Sequence, residues 1–228
     1  MSLCEYKYML GKPNEGLHTH VFGIAVFDVI ATILLISFIS KYFPGEYLII
    51  PNGVDTEKFT TAAKPLEQYT DGRVNILFVG RLGNNETRKG LKYLVSAFKA
   101  LQKTHPNTRL IIVGPGKPDK GTSTIMNMSG KTNIIFAGAV SSKNLPRYYA
   151  TADIFCSPAT HGESFGMVLV EAMASGKPII ASNIDGYREV MLGSNPKLLT
   201  MSRGRLIQTE TGILFPPKDK SGLTAALE

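Results

Sequence analysis

Hydrophobic positions along most of this chain come as short runs rich in Val and Ile that are bounded by Gly or Pro. They are YLIIP (47–51), NILFVG (75–80), RLIIVG (109–114), NIIFAG (133–138), DIFCSP (153–158) and PIIAS (178–182). Between the runs the spacing changes. In KGLKYLVSAFKALQKT, Leu91, Leu94, Phe98 and Leu101 recur at three- and four-residue steps, so they share one helix face. Strands that are apolar throughout, separated by such helices, predict a parallel sheet covered on both sides, which is a doubly wound α/β domain. Residues 191–210 (MLGSNPKLLTMSRGRLIQTE) break the rhythm and read as an inserted surface loop carrying Lys197, Arg203 and Arg205.

The first 43 residues have a different pattern. Residues 21–40 (VFGIAVFDVIATILLISFIS) hold fifteen apolar positions in twenty, about the length a helix needs to cross a bilayer core. Their Val, Ile, Leu and Phe side chains contribute roughly −4 to −8 kcal/mol to insertion, against a cost of about 2.5–3.5 kcal/mol for Asp28. A transmembrane helix over 21–40 is therefore expected. The Lys residues flank it on both sides, so the positive-inside rule does not orient it. Phe43-Pro44-Gly45 breaks the pattern and acts as a linker, after which the domain of residues 46–228 begins.

Composition narrows the options. With 43% apolar and 19% charged residues, the chain is not of the disordered type. Its only cysteines, Cys4 and Cys156, give no disulfide framework, and with four histidines they give no zinc spacing. The net charge of +7 suits an anionic partner. No basic stripe interleaved with aromatics accompanies it, so nucleic acid is not expected.

In an open parallel sheet, ligands bind beyond the carboxyl ends of the strands. After NILFVG comes Arg81, then a polar loop and Lys89-Gly90 at the mouth of a helix. After RLIIVG comes Pro115-Gly116, after NIIFAG come Ala139-Val140, and after DIFCSP comes ATHGESFG (159–166). Two cations, several glycines (Gly80 and Gly116 among them) and two helix starts thus converge on one edge, which suits a phosphate or diphosphate. Two familiar phosphate motifs fail. A dinucleotide GxGxxG continuing from Gly114 and Gly116 meets Asp119, and a P-loop ending in Gly130-Lys131-Thr132 would need glycine where Ile125 stands. What remains is Glu163 in a loop and Glu171 eight positions on, inside a helix read over 165–175 and stopped by Gly176-Lys177-Pro178. A carboxylate accepts two hydroxyl hydrogen bonds, so the pair suits a ligand with a central diphosphate and hydroxyls at either end.

GESFGMVLVEAMASGKPIIAS (162–182) resembles the signature of retaining glycosyltransferases of the GT-B fold, family 4, the glycosyl transferases group 1. The resemblance extends through IPNGVD (50–55), LFVGRL (77–82), RKGL (88–91), IIVGPG (111–116), FAGAV (136–140), ADIFCSPA (152–159), DGYREV (185–190) and TGILFPPKD (211–219). Within the family the match is to the phosphatidylinositol mannosyltransferase type. It implies an α/β fold with a single Rossmann-like doubly wound parallel sheet, the C-terminal half of a GT-B fold, here preceded by the N-terminal hydrophobic helix.

The resemblance also implies roles. Arg81, Lys89 and Glu163 would be catalytic, the cations gripping the donor diphosphate and Glu163 the transferred sugar. Glu171 would hold the ribose hydroxyls, the backbone around Ser164, Phe165 and Gly166 would meet the phosphates, and Val140 would lie by the nucleobase, with Gly80 and Gly116 also donor-binding. The implied activity is hexosyl transfer, mannosyl by family habit, from a GDP- or UDP-sugar to a membrane-associated lipid or polyol acceptor with retention. No cofactor or metal is implied, and no D-x-D occurs. Residues 1–43 do not resemble the family, and the acceptor-binding first domain has no counterpart here. The alternative is therefore a membrane-tethered nucleotide-sugar-binding module without turnover. A membrane location, with the domain facing the cytoplasm, is expected. His161 reads as a loop residue and Cys156 as core.

Overall fold

Every residue of the strand Thr108–Val113 is buried, and its side chains divide between two cores. Leu110 and Ile112 join one cluster and Ile111 and Val113 the other, as the two-residue period of a strand requires. The neighbouring strand repeats the division with Ile76 and Phe78 on one side and Leu77 on the other. A sheet apolar on both faces must be covered on both faces, and this one is.

The computed structural model describes residues 20–21, 24–25, 53–127, 133–192, 200–202 and 206–228. The chain divides into two compact units, Met1–Ile50 and Pro51–Glu228. In the first unit β1 (His20–Val21) and β2 (Ile24–Ala25) pair antiparallel. The hydrophobic helix expected over 21–40 therefore does not begin at Val21. β-Branched residues suit strands at least as well as helices, so apolar content alone does not choose between them. The rest of that span, and YLIIP, lie outside the described residues. Among the described residues no helix is long and apolar enough to cross a membrane.

The second unit runs β3 (Val74–Val79), α1 (Leu91–Thr104), β4 (Thr108–Val113), α2 (Lys120–Asn127), β5 (Ile134–Gly138), α3 (Leu145–Thr151) and β6 (Ile154–Ser157). It continues with α4 (Met167–Ala174), β7 (Ile179–Ser182), α5 (Asp185–Leu192), β8 (Thr200–Ser202), β9 (Leu206–Gln208), β10 (Gly212–Phe215) and α6 (Lys220–Leu227). The sheet order is β5-β4-β3-β6-β7-β10-β9-β8. Six strands are parallel, and β9 and β8 add an antiparallel edge. The segment read from sequence as an inserted loop thus supplies two strands. Its Lys197, Arg203 and Arg205 lie outside the described residues.

Helix α1 buries Leu91, Leu94, Val95, Ala97, Phe98 and Leu101. Each large apolar side chain among them contributes about 1.5–3 kcal/mol relative to exposure. Chain direction reverses its march across the sheet between β3 and β6, and the crevice at such a switch point is where this architecture receives ligands.

Two loops meet there at a glycine. Gly90 caps α1 in the left-handed region (φ 75°), and a Cβ on it would lie 1.8 Å from the Pro158 carbonyl oxygen at the end of β6. Gly72 has a similar φ of +81° but open space around it. Gly90→Ala should therefore cost more than about 2 kcal/mol, and Gly72→Ala only about 1 kcal/mol. Thermal denaturation of the two variants checks this; equal losses would show that the loops are not in contact.

Candidate functional site

Two loops build the crevice, one leaving the carboxyl end of β3 and the other that of β6. After β3, Gly80 and Arg81 lead into a short 3-10 segment, Asn84–Lys89, that delivers Glu86, Arg88 and Lys89. After β6, residues 158–166 carry Glu163 to the start of α4. The loops are sewn together through Arg88. Its carbonyl oxygen accepts from the Thr160 N–H at 2.7 Å, and its Nη1 donates to the Gly162 carbonyl at 3.0 Å.

Charge converges on Glu163. Arg88 Nη1 and Lys89 Nζ both donate to its Oε1, each at 2.7 Å. The Glu163 side chain is 12% exposed, so its charge would be costly without such partners. The network extends outward: Arg88 Nη2 lies 3.2 Å from Glu86 Oε2, and Arg81 Nη2 lies 3.3 Å from Glu86 Oε1. Arg81 ends the chain with 69% of its side chain exposed. The Lys89 stem passes close to Gly80, where a Cβ would be 3.9 Å from Lys89 Cδ. The Leu82 N–H donates to the Pro115 carbonyl at 2.8 Å, which brings the loop bearing Gly116 alongside.

Helix α4 starts from the second of these loops. Gly166 caps it in the left-handed region (φ 81°) with no side-chain cap, so the first helical amides are not taken by a cap. A Cβ at Gly166 would lie 2.7 Å from the Tyr187 ring, whose hydroxyl bonds Ser157 at 2.7 Å. The helix start is therefore fixed against both β6 and α5. Ser164 is exposed and Phe165 half-buried.

Glu171, on α4, belongs to a second group. It accepts a hydrogen bond from the Tyr149 hydroxyl at 2.7 Å. Burial raises its pKa above the ordinary 4.5, while the Tyr149 bond and the charge of Lys58 pull it back down. Lys58 Nζ in turn donates to Ser142 Oγ at 2.6 Å, at the margin of a cavity of about 690 Å³ lined by Glu57, Lys58, Ser142, Lys143 and Arg147. Val140, two residues before Ser142, is half-buried and packs against the cluster around Tyr149.

Arg81, Lys89 and Glu163 are thus joined in one ionic network, with Arg88 and Glu86 between them, and Glu171 sits in its own hydrogen bond. Reading the sequence missed Arg88, Glu86, Tyr149 and Lys58. Arg88 sits beside Lys89, and that adjacency is its one signal; nothing local marks the others. His161 is exposed and bonds its neighbour Thr160. Cys156 is fully buried, which pushes its thiol pKa far up. Among the described residues no three His, Cys, Asp or Glu side chains are placed to hold a metal ion.

Comparison with known proteins places this geometry in a family. The glycosyl transferases group 1 model matches residues 73–228. Phosphatidyl-myo-inositol mannosyltransferase of Mycobacterium tuberculosis is 38% identical over 181 residues, 78% of this chain and 44% of that protein. The chain thus spans under half the length of the curated relatives it matches. Among solved structures, Anabaena HepE in complex with UDP and glucose aligns at TM-score 0.56 and 22% identity, covering 76% of this chain and 44% of that one. The C-terminal domain of a glycosyl transferase group 1 protein (LpcC) from Francisella tularensis aligns at TM-score 0.55 and 24% identity, covering 77% of this chain and 86% of that one. Both share the α/β fold with its largely parallel sheet. The chain belongs to the glycosyl transferases group 1 family.

Proposed function

We propose that residues 51–228 seat a nucleoside-diphosphate hexose in the crevice between β3 and β6 and supply the donor half of a hexosyl transfer. The observation that carries this is the convergence of Arg88 and Lys89 on Glu163 at the switch point, beside the uncapped start of α4. A diphosphate would draw Lys89 and the loosely held Arg81 onto its oxygens and meet the first amides of α4. Fixed cations and amides in that place stabilise the charge that develops on the leaving diphosphate as the bond to the sugar breaks. Glu163 would then accept from hydroxyls of the transferred sugar. Glu171 would accept from the ribose, and the segment from Val140 to Ser142 would border the base.

Likeness to the phosphatidyl-myo-inositol mannosyltransferase supports a mannosyl donor and a phosphatidylinositol lipid as acceptor; retention at the sugar carbon is part of the same proposal. Donor binding in this reading needs no metal ion.

Calorimetry of the 228-residue chain with GDP-mannose and UDP-glucose tests the proposal. At least one should bind, with or without EDTA, and Lys89→Ala should weaken binding by about ten- to hundredfold, the effect of one lost charge-assisted bond. No heat at millimolar concentration of either ligand overturns the proposal.

Glu171 generates a second expectation. Its ionised form accepts two hydroxyls and its protonated form accepts fewer, and its pKa lies above 4.5. Donor affinity should therefore fall as pH drops towards that raised value, starting at higher pH than for an exposed glutamate. Glu171→Gln should weaken binding at pH 7 and remove this acid limb. Titrations from pH 7.5 to about 5 measure it; an unchanged limb in the variant would show that Glu171 does not touch the donor.

A further inference from the structure

Resting on the donor site proposed above, we infer that Arg88 is a positioning residue for sugar recognition: it keeps Glu163 in place when Lys89 is drawn away to the diphosphate. Arg88 and Lys89 both end on Oε1 of Glu163, and neither bond uses Oε2. The two cations are held very differently. Lys89 is a point charge on a flexible stem, and its Nζ meets Glu163 alone among the described residues.

Arg88 is held at several points. Its Nη1 is shared by Glu163 and the Gly162 carbonyl, its Nη2 faces Glu86, and its own carbonyl oxygen accepts from Thr160. Moving Lys89 leaves this framework standing, whereas removing the Arg88 guanidinium would take away its contacts to Glu163, Gly162 and Glu86.

The charges lead to the same division of labour. Arg81, Glu86, Arg88, Glu163 and Lys89 form one chain of alternating sign, with Lys89 and the mostly exposed Arg81 at its two ends. A dianionic diphosphate takes the ends, since each has a single ionic anchor among the described residues. The centre, Glu86–Arg88–Glu163, stays paired. Glu163 is then still oriented through Oε1 and presents Oε2 to the sugar hydroxyls. Without Arg88 the carboxylate would follow Lys89 or turn into water, and the sugar would lose its acceptor while the diphosphate kept its cations.

The test separates the two parts of the ligand. Calorimetry on the 228-residue chain compares UDP with UDP-glucose and GDP with GDP-mannose, before and after Arg88→Met. The variant should bind the nucleoside diphosphate within about twofold of the parent and the sugar-bearing form about tenfold more weakly. If Arg88→Met loses its cooperative thermal transition, Arg88→Gln, which keeps a donor for the Gly162 carbonyl, carries the same expectation. Equal weakening of both ligands would mean that Arg88 binds the diphosphate itself. That result overturns the inference, as does no change for either ligand. If the parent chain binds none of the four ligands, the donor site falls and the inference with it. If it binds them and Arg88 shows no selective effect, only the inference falls.

Discussion

Loops from the two halves of the sheet are pressed together at one place, where Gly90 lies under the Pro158 carbonyl and Arg88 and Lys89 close on Glu163. The contact is steric at its base and ionic at its rim. The steric part sets the separation, because only a residue without a Cβ fits between the turn before α1 and the end of β6. The ionic part is a consequence of burial. Glu163, Lys89 and Arg88 are each largely withdrawn from water, and charges so placed are costly unless they are paired. The same pairing gathers three cations, Arg81, Arg88 and Lys89, at one rim of the sheet.

The scaffold beneath holds this arrangement in place. Strands β3 and β6 are neighbours in register, and both are covered from two sides by apolar clusters. The loops therefore leave from fixed points. Tyr187 locks Gly166 and Ser157 together, and Tyr149 ties α3 to Glu171 on α4. Both tyrosines are buried, so the hydrogen bonds of their hydroxyls are sheltered from competing water. A polar crevice resting on two apolar layers thus has its loop ends and the start of α4 fixed in place.

Much of this could be read from the amino-acid order. The runs that became β3 to β7 are mostly apolar, four of them ending in Gly or Pro and the fifth following Pro178, which marks buried parallel strands, and Leu91, Leu94, Phe98 and Leu101 mark the inner face of α1. Strands β8 and β9 escaped because an edge hairpin needs little apolar content and sits in a basic, Gly-containing stretch. The start of the 21–40 run misled for the opposite reason: its apolar content fits a strand as well as a helix, and Val21 pairs with Ile24. In the site, Arg81, Lys89 and Glu163 stood out because each lies in a loop beyond a strand end. Arg88, Glu86, Tyr149 and Lys58 did not, since their meaning lies in partners up to 113 positions away, as when Lys58 acts on Glu171.

In the proposed function this crevice seats a diphosphate between two sugar-holding carboxylates. A crystal structure of the chain grown with a nucleoside-diphosphate hexose tests it most directly. Phosphate oxygens should lie within hydrogen-bond distance of Lys89 and the first amides of α4, with Glu163 on the hexose and Glu171 on the ribose. A ligand bound elsewhere, with Lys89 still closed on Glu163, would contradict it.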